Sequence, residues 1–311
     1  MWRLTLLGCL ACGCNLVLPL GGAGDLSVAD TSGGAEAGND FAPDLERPDA
    51  VVDAAVLPSF GNIQPVAELN TATNEDDPTL PADMLEIYFE HGQDIWRATR
   101  GSTGDSWGAP AAVAELNTSL EDGTPGISAD GLTIYLLSAR DDPNQIPSIY
   151  MATRKDRGAP WSTPVPVPEL SSGSNDSCPF PASDVLIVLD SDRSGGQGGR
   201  DLFRASRATG TDPWGSPVVV AELNTGGEDS CAFLSSDGRL ILFGSDRDNG
   251  VMNIFVATRT DAAAPFDPPT KLPQVNSASE DADPWLSPDM KTLYFSSSRN
   301  GTQDIFVARA N

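Results

Sequence analysis

Short apolar runs separated by Gly, Pro, Asp, Asn and Ser recur from residue 60 to the end of the chain. The most apolar run of each repeat occupies residues 87–89, 134–136, 186–189, 240–243 and 293–295. Continuous apolar runs of this length are typical of strands that are buried on both faces. Because no segment carries an apolar period of 3.6 over the length of a helix, the pattern predicts an all-β fold with many turns.

An aromatic residue followed ten positions later by a polar one marks five copies of a longer repeat. Successive copies are separated by 47, 54, 53 and 52 residues, close to the roughly 40–50 residues of a four-stranded propeller blade. Within each copy, acidic residues precede a short strand, an Asp turn follows, and two further strands complete the unit. The five pairs are Phe60 and Asn70, Trp107 and Asn117, Trp161 and Ser171, Trp214 and Asn224, and Phe266 and Asn276.

The order of the repeated segments predicts how the ring closes. The repeats begin with an outer strand at residues 60–69 and finish with a third strand at residues 305–308. If the first strand completes the last blade, the sheet edges of an open row of blades are hidden. The sequence therefore predicts a five-bladed β-propeller of four-stranded antiparallel blades over residues 59–311.

Three repeated segments are residues 234–238 (LSSDG), 245–247 (SDR) and 304–308 (DIFVA). They resemble the WD40-like propeller repeat of the Tol–Pal periplasmic propeller and of many bacterial envelope lipoproteins. The resemblance implies the propeller fold and a place in the cell envelope, but it implies no activity because the matching residues are those that build blades. Within this pattern we expect Arg193 to pair with Asp201, and Arg299 with Asp304, across hairpins.

The first 20 residues have the layout of an export signal, because Arg3 precedes a short apolar stretch and small residues follow. Cys9, Cys12 and Cys14 each follow a small residue, which resembles a bacterial lipoprotein signal. We favour Cys14 as the lipidated residue, with Cys12 and Cys9 as alternatives. An ordinary secretory signal cleaved near Ala23 is the other interpretation.

Residues 21–58 are rich in Gly, Ala, Asp and Ser and predict a disordered acidic tether. The whole chain has 44 acidic and 19 basic side chains and a formal charge of −25. This charge argues against nucleic acid and anionic lipid as partners. We expect an exported, monomeric protein, facing the periplasm or the cell surface, that contacts the membrane only through a lipid anchor.

Acidic residues precede the first strand of every repeat, so blade symmetry predicts that they form an acidic ring near the axis. Hard oxygen ligands of this kind suit calcium. The alternative, which we favour, is that each carboxylate accepts backbone N–H groups and fixes its loop, and that no cofactor is bound. The nine residues are Glu75, Asp76, Glu121, Asp122, Asp176, Glu228, Asp229, Glu280 and Asp281.

Cys178 and Cys231 occupy equivalent positions in adjacent repeats. A disulfide between them is chemically allowed in an oxidising compartment. Equivalent positions on adjacent strands can exceed the roughly 7 Å between Cα atoms that a disulfide spans. We therefore slightly favour two free buried thiols.

A serine hydrolase is disfavoured, because His91 is the only histidine in the sequence. Glycan-cleaving five-bladed propellers place three carboxylates around their axis, so a glycosidase is the alternative function. Glycosidases need carboxylates in unlike environments, whereas the repeats here are alike. The sequence favours a non-enzymatic envelope protein whose propeller binds a protein or peptide.

Overall fold

The computed structural model describes residues 57–311, which contain twenty strands in five four-stranded antiparallel sheets and no helix. No helix that could cross a membrane is therefore present in this range. The proposed lipidation site, the export signal and most of the tether lie outside the described residues. The all-β class, the five blades and their strand number are as predicted from the repeats.

Each of the first four blades uses four strands that follow one another along the chain. Blade 1 contains β2 (Glu75–Thr79), β3 (Glu86–His91), β4 (Asp94–Thr99) and β5 (Ala111–Ala112). Blade 2 contains β6 (Asp122–Ile127), β7 (Thr133–Ser138), β8 (Ser148–Thr153) and β9 (Val165–Pro166). Blade 3 contains β10 (Asp176–Ser183), β11 (Leu186–Ser191), β12 (Asp201–Ser206) and β13 (Val218–Val219). Blade 4 contains β14 (Asp229–Leu234), β15 (Leu240–Ser245), β16 (Asn253–Thr258) and β17 (Thr270–Lys271).

Blade 5 joins the two ends of the propeller. It contains β18 (Asp281–Leu286), β19 (Thr292–Ser297) and β20 (Asp304–Ala310), and its outer strand is β1 (Phe60–Pro65). The antiparallel register places Phe60 opposite Ala310 and Pro65 opposite Phe306. The predicted closure by the N-terminal outer strand is thus confirmed.

The apolar core lies between neighbouring blades. The second strand of each blade is almost fully buried, as its continuous apolar sequence predicts. The aromatic side chain before each outer strand packs on the preceding blade. In one example the Trp161 ring meets Tyr88 edge-on at 6.0 Å, and its Nε1 donates a hydrogen bond to the Tyr88 hydroxyl. Trp214 makes the same contact with Tyr135.

The first strands of successive blades contact one another around the axis. Each of them contains a β-bulge at the same position, where the pairing with the second strand shifts register. The residue at each bulge has a positive φ of 42–53°, which is uncommon outside glycine. Because a bulge re-aims its side chain, these residues line the narrow centre of the ring. They are Asp77, Thr124, Cys178, Cys231 and Asp283.

Candidate binding site in the axial channel

The nine acidic residues expected to form one ring occupy three different positions in the blades. Three lie in the loops before the first strands, and of these Glu280 is exposed whereas Glu121 and Glu228 are half-buried. Five lie at the start of the first strands and are completely buried. Asp76 is the only one that lies a residue further along its strand. The strand-start carboxylates are Glu75, Asp122, Asp176, Asp229 and Asp281.

The strand-start carboxylates are occupied by hydrogen bonds within their own blades. Asp122 accepts hydrogen bonds from the backbone N–H and hydroxyl of Thr118 at 2.6 and 2.7 Å, and from the Ser138 hydroxyl at 2.5 Å. Arg140 Nη2 lies 2.7 Å from the same carboxylate. In blade 1 the position is filled by Glu75, which contacts His91 Nδ1 at 2.7 Å instead of an arginine. These contacts are what the loop-fixing interpretation requires, because they engage each of the five carboxylates within its own blade.

The arginines that follow the second strands pair differently from our expectation. Arg193 contacts Asp176 at 2.5 Å and Arg299 contacts Asp281 at 2.5 Å, rather than Asp201 and Asp304. Each also donates to a backbone carbonyl of the preceding loop, which for Arg193 is that of Leu170. Arg193 Nη2 thus bridges the Asp176 carboxylate and the Leu170 carbonyl, two acceptors that lie together at the entry to the blade.

A second group of carboxylates, which we call the axial acidic cluster, converges inside the ring. Blade 1 supplies three of them, blade 3 one and blade 5 one. Only Asp76 was among the nine residues selected from the sequence. The members are Asp76, Asp77, Glu90, Asp190 and Asp283.

Burial and mutual repulsion set the protonation of the axial acidic cluster. Burial, with repulsion from Glu90, Asp283 and Glu75, raises the pKa of Asp76 to about 8. Burial raises the pKa of Glu90 to about 7, against a hydrogen bond from the Thr124 N–H. The pKa values of Asp77, Asp190 and Asp283 are also raised, in each case chiefly by burial. Near neutral pH the cluster is therefore a mixture of charged and protonated carboxyls.

Axial side chains also link neighbouring blades. Glu90 accepts the Thr124 N–H at 3.1 Å, the Thr124 hydroxyl accepts the Cys178 N–H at 3.1 Å, and Asp190 accepts the Cys231 N–H at 2.9 Å. Each acceptor belongs to one blade and each donor to the next. The left-handed bulge turns these N–H groups sideways, out of their own sheet, so that they can bond across the ring.

Cys178 and Cys231 are joined by a disulfide, with their sulfur atoms 1.97 Å apart. Their Cα atoms are only 4.9 Å apart, well within the range that a disulfide bridges. Our preference for free thiols was wrong because it ignored two local effects. The first strands crowd together at the axis, and the bulges turn both side chains towards it.

The channel has a polar centre and an apolar end. The cavity bounded by the bulge residues has a volume of about 30 Å³, which is room for one or two waters or an ion. Towards the far ends of the first strands lies an apolar cavity of about 230 Å³, lined by Phe180, Phe233 and Trp285 among others. The two Phe rings are 5.0 Å apart.

Two sets of axial side chains have the spacing of ligands for a positive charge. Carboxylate oxygens of Asp76, Asp77 and Glu90 lie within 4.8 Å of one another, and this set suits a hard cation, an ammonium or a guanidinium. Asp77 also belongs to a second set with the sulfur atoms of Cys178 and Cys231.

Part of this site was detectable in the sequence. Aligning the repeats at the strand-start carboxylate places Asp77, Thr124, Cys178, Cys231 and Asp283 in one column. That column lacks the repetition of the strand-start carboxylates two positions before it, and this contrast is the signal we missed. Glu90 and Asp190 lie on second strands, and only the strand pairing shows that they face the axis beside Asp76 and Ser177.

Comparisons with known proteins agree on the fold. No known family model matches the sequence, and no curated protein is similar to it. Among solved structures, the endo-arabinase of Bacteroides thetaiotaomicron VPI-5482 is 12% identical with a TM-score of 0.58, over 79% of this chain and 96% of that one. An α-L-arabinofuranosidase from Podospora anserina is 12% identical with a TM-score of 0.51, over 80% and 95%. A putative TolB from Agrobacterium tumefaciens is 18% identical with a TM-score of 0.49, over 76% of each chain. At these identities the likenesses show the propeller fold alone.

Proposed function

We propose that this protein is a non-enzymatic cell-envelope protein whose propeller binds a positively charged segment of a protein or peptide at the axial acidic cluster. The observation that carries the proposal is the convergence of five carboxylates on one channel, with Arg200 as the cation that acts on Asp190 and Asp283. Fewer positive charges than negative ones face this channel among the described residues.

A lysine or arginine side chain would relieve the repulsion that raises the pKa values of the cluster. Binding would favour the ionised carboxylates and replace their repulsion with charge-assisted hydrogen bonds. The formal charge of −25 adds long-range attraction for a basic partner and speeds its encounter with the propeller.

The rest of the ring is built as a rigid support for such a site. The strand-start carboxylates are fully used in blade contacts, and the inter-blade hydrogen bonds and the disulfide hold the axial side chains in place. A preorganised site loses little conformational entropy when a partner binds.

Export, anchoring through Cys14 and an envelope location belong to the same proposal. They are supported by the export-signal layout of residues 1–20 and by the resemblance of the repeats to envelope propellers. A monomeric propeller on an acidic tether would present the channel to partners within the envelope.

Glycan cleavage is the alternative, and one observation favours it more than the sequence did. The carboxylates around the channel lie in unlike environments. The pKa of Asp76 is raised to about 8 and that of Glu90 to about 7, whereas the strand-start carboxylates are fully hydrogen bonded within their blades. Against it, the cavity at Asp77 and Asp283 has about 30 Å³, which admits a group as small as the ammonium at the end of a side chain but is far below the roughly 300–1,000 Å³ of small-molecule pockets. Turnover of an arabinan that is abolished by Asp76→Asn would establish this alternative instead.

The binding proposal can be tested with a fluorescent oligolysine peptide, whose affinity is followed by anisotropy at low salt. Asp76→Asn and Glu90→Gln should each weaken binding by about fivefold or more, because each removes a carboxyl group that would ionise when the cation binds. Glu169→Gln is the matched control, since it removes the same charge from an exposed side chain at the outer edge of blade 2. Equal losses in all three variants would show that only the net charge matters, and would contradict the proposal.

A further inference from the structure

The disulfide lies between two carboxylates of the axial channel. Cys178 Sγ is 3.7 Å from Asp77 Oδ1, and Cys231 Sγ is 3.7 Å from Asp190 Oδ2. The ligand atoms of Asp77, Cys178 and Cys231 all lie within 4.8 Å of one another. Two sulfur atoms and the Asp77 carboxylate therefore form one compact set, and the Asp190 carboxylate lies beside the sulfur atom of Cys231.

Two of these spacings match the sulfur-to-oxygen edge of a tetrahedral metal site. Zinc binds thiolate sulfur at about 2.3 Å and carboxylate oxygen at about 2.0–2.2 Å. The sulfur-to-oxygen edge of such a tetrahedron is therefore about 3.5–3.7 Å, as in the two pairs here.

We propose that reduction of the Cys178–Cys231 disulfide converts the centre of the channel into a site for a thiophilic divalent cation such as Zn²⁺. Cys178, Cys231 and Asp77 are its ligands, and Asp190 supplies the fourth. The adjoining cavity of about 30 Å³ has room for the ion. The inference does not depend on the proposed binding of a basic partner.

The conversion needs two balanced steps. A dithiol reductant transfers two electrons and two protons, so that its own disulfide forms while the Cys178–Cys231 bond is replaced by two thiols. The metal ion then binds both sulfur atoms and releases two protons to solvent.

The fold keeps the four ligands together without the disulfide. Both cysteines lie at bulges with φ of 46°, and the Cys178 and Cys231 N–H groups are held by Thr124 and Asp190 from the preceding blades. Asp190 also accepts a hydrogen bond from the Ser177 hydroxyl. These contacts fix the backbone on both sides of the sulfur pair after the covalent bond is broken.

The test is Co²⁺ binding by the full chain before and after reduction with a phosphine, which does not itself supply a thiol. The reduced protein should bind Co²⁺ and show the absorption of thiolate-to-cobalt charge transfer, and the oxidised protein should not. Zn²⁺ should displace Co²⁺ and abolish the absorption. The double variant Cys178→Ser/Cys231→Ser is the control, because it keeps every other possible ligand and so measures any binding outside the cysteine pair.

A second variant tests whether Asp77 is a ligand of the metal or whether the two thiols bind it alone. Asp77→Asn keeps both cysteines, so it should retain two titratable thiols after reduction but weaken Co²⁺ binding by about tenfold or more. Three results would overturn the proposal. They are equal Co²⁺ binding by the reduced wild type and the double serine variant, unchanged affinity in Asp77→Asn, and a reduced protein that loses its β-sheet circular dichroism and binds no metal.

Discussion

Glu75 and Asp76 are adjacent in the chain, yet they belong to two sets of carboxylates with opposite roles. Glu75 is one of the strand-start carboxylates, which have hydrogen-bonded partners in every blade. Asp76 belongs to the axial acidic cluster, whose members come from only three blades and repel one another. The comparison teaches that a carboxylate repeated in all blades stabilises the fold, whereas one that departs from the repeat is the better candidate for a ligand site.

Removing a strand-start carboxylate should have the largest effect. Asp229→Asn leaves Arg247 without its buried partner at 2.6 Å and weakens the bonds to Thr225. Breaking a buried pair in this way costs about 3–5 kcal/mol, so thermal denaturation should show a midpoint lower by about 10 °C. The loss should be equal with and without calcium. A calcium-specific stabilisation that disappears in the variant would instead make this carboxylate a metal ligand.

The pH dependence of stability should report the axial acidic cluster. The pKa values of Asp76 and Glu90 are raised to about 8 and about 7, so between pH 4 and these values the folded state holds more protons than the unfolded state. The free energy of unfolding should therefore fall as the pH rises, by about 1–3 kcal/mol between pH 5 and pH 8.5. Urea denaturation of the oxidised protein in a chelator would measure this slope.

The variant Glu90→Gln should remove part of that slope, because Gln does not titrate but can still accept the Thr124 N–H. Glu169→Gln, with an exposed side chain, should leave the slope unchanged. Stability that rises over the same pH range in the wild type would show that the axial carboxyls are not protonated in the folded protein.

Removing a single axial charge should have a smaller effect of opposite sign to that of Asp229→Asn. Asp76→Asn relieves repulsion with Glu90, Asp283 and Glu75 and should stabilise the protein by about 1 kcal/mol at pH 8.5. At pH 5, where the carboxyl is already protonated, the stabilisation should vanish. Gain of stability together with loss of oligolysine binding is the usual sign of a site strained for function. Destabilisation at both pH values would place Asp76 with the strand-start carboxylates.

An exposed turn carboxylate should give the smallest effect. Asp289 accepts hydrogen bonds from the Ser287 hydroxyl at 2.6 Å and the Lys291 N–H at 3.0 Å, which lower its pKa. The stability that the ionised Asp289 carboxylate contributes to the folded state is therefore present above pH 4 and is lost as the pH falls further. Because solvent screens this side chain, Asp289→Asn should cost only about 0.5 kcal/mol at pH 7 and nothing at pH 2, by chemical denaturation. A loss above about 2 kcal/mol would contradict this assignment.

The fold was predictable from the sequence because every blade has the same pattern of apolar and polar positions. The apolar second strands, the aromatic before the outer strand and the position of residues 60–69 suffice for five blades and their closure. The axial acidic cluster was not predictable from the sequence, because it depends on the distances between side chains of different blades. Nothing local shows that Glu90 and Asp190 face the axis, or that the Cα atoms of Cys178 and Cys231 lie 4.9 Å apart. Both follow from the bulges, which a repeat alignment does not reveal.

The pairing of β1 with β20 also sets an order of events in time. β1 is the first strand of the propeller to be made, and its partner is the last. During synthesis β1 must remain unpaired while blades 1 to 4 assemble, because each of those blades is completed by its own following strand. The ring then closes in one late step that joins positions nearly the whole propeller apart in sequence, and such distant pairings are slow to form. A nascent propeller halted before residues 304–310 would thus expose both β1 and β19 at once, a form that chaperones and proteases can distinguish from the finished ring.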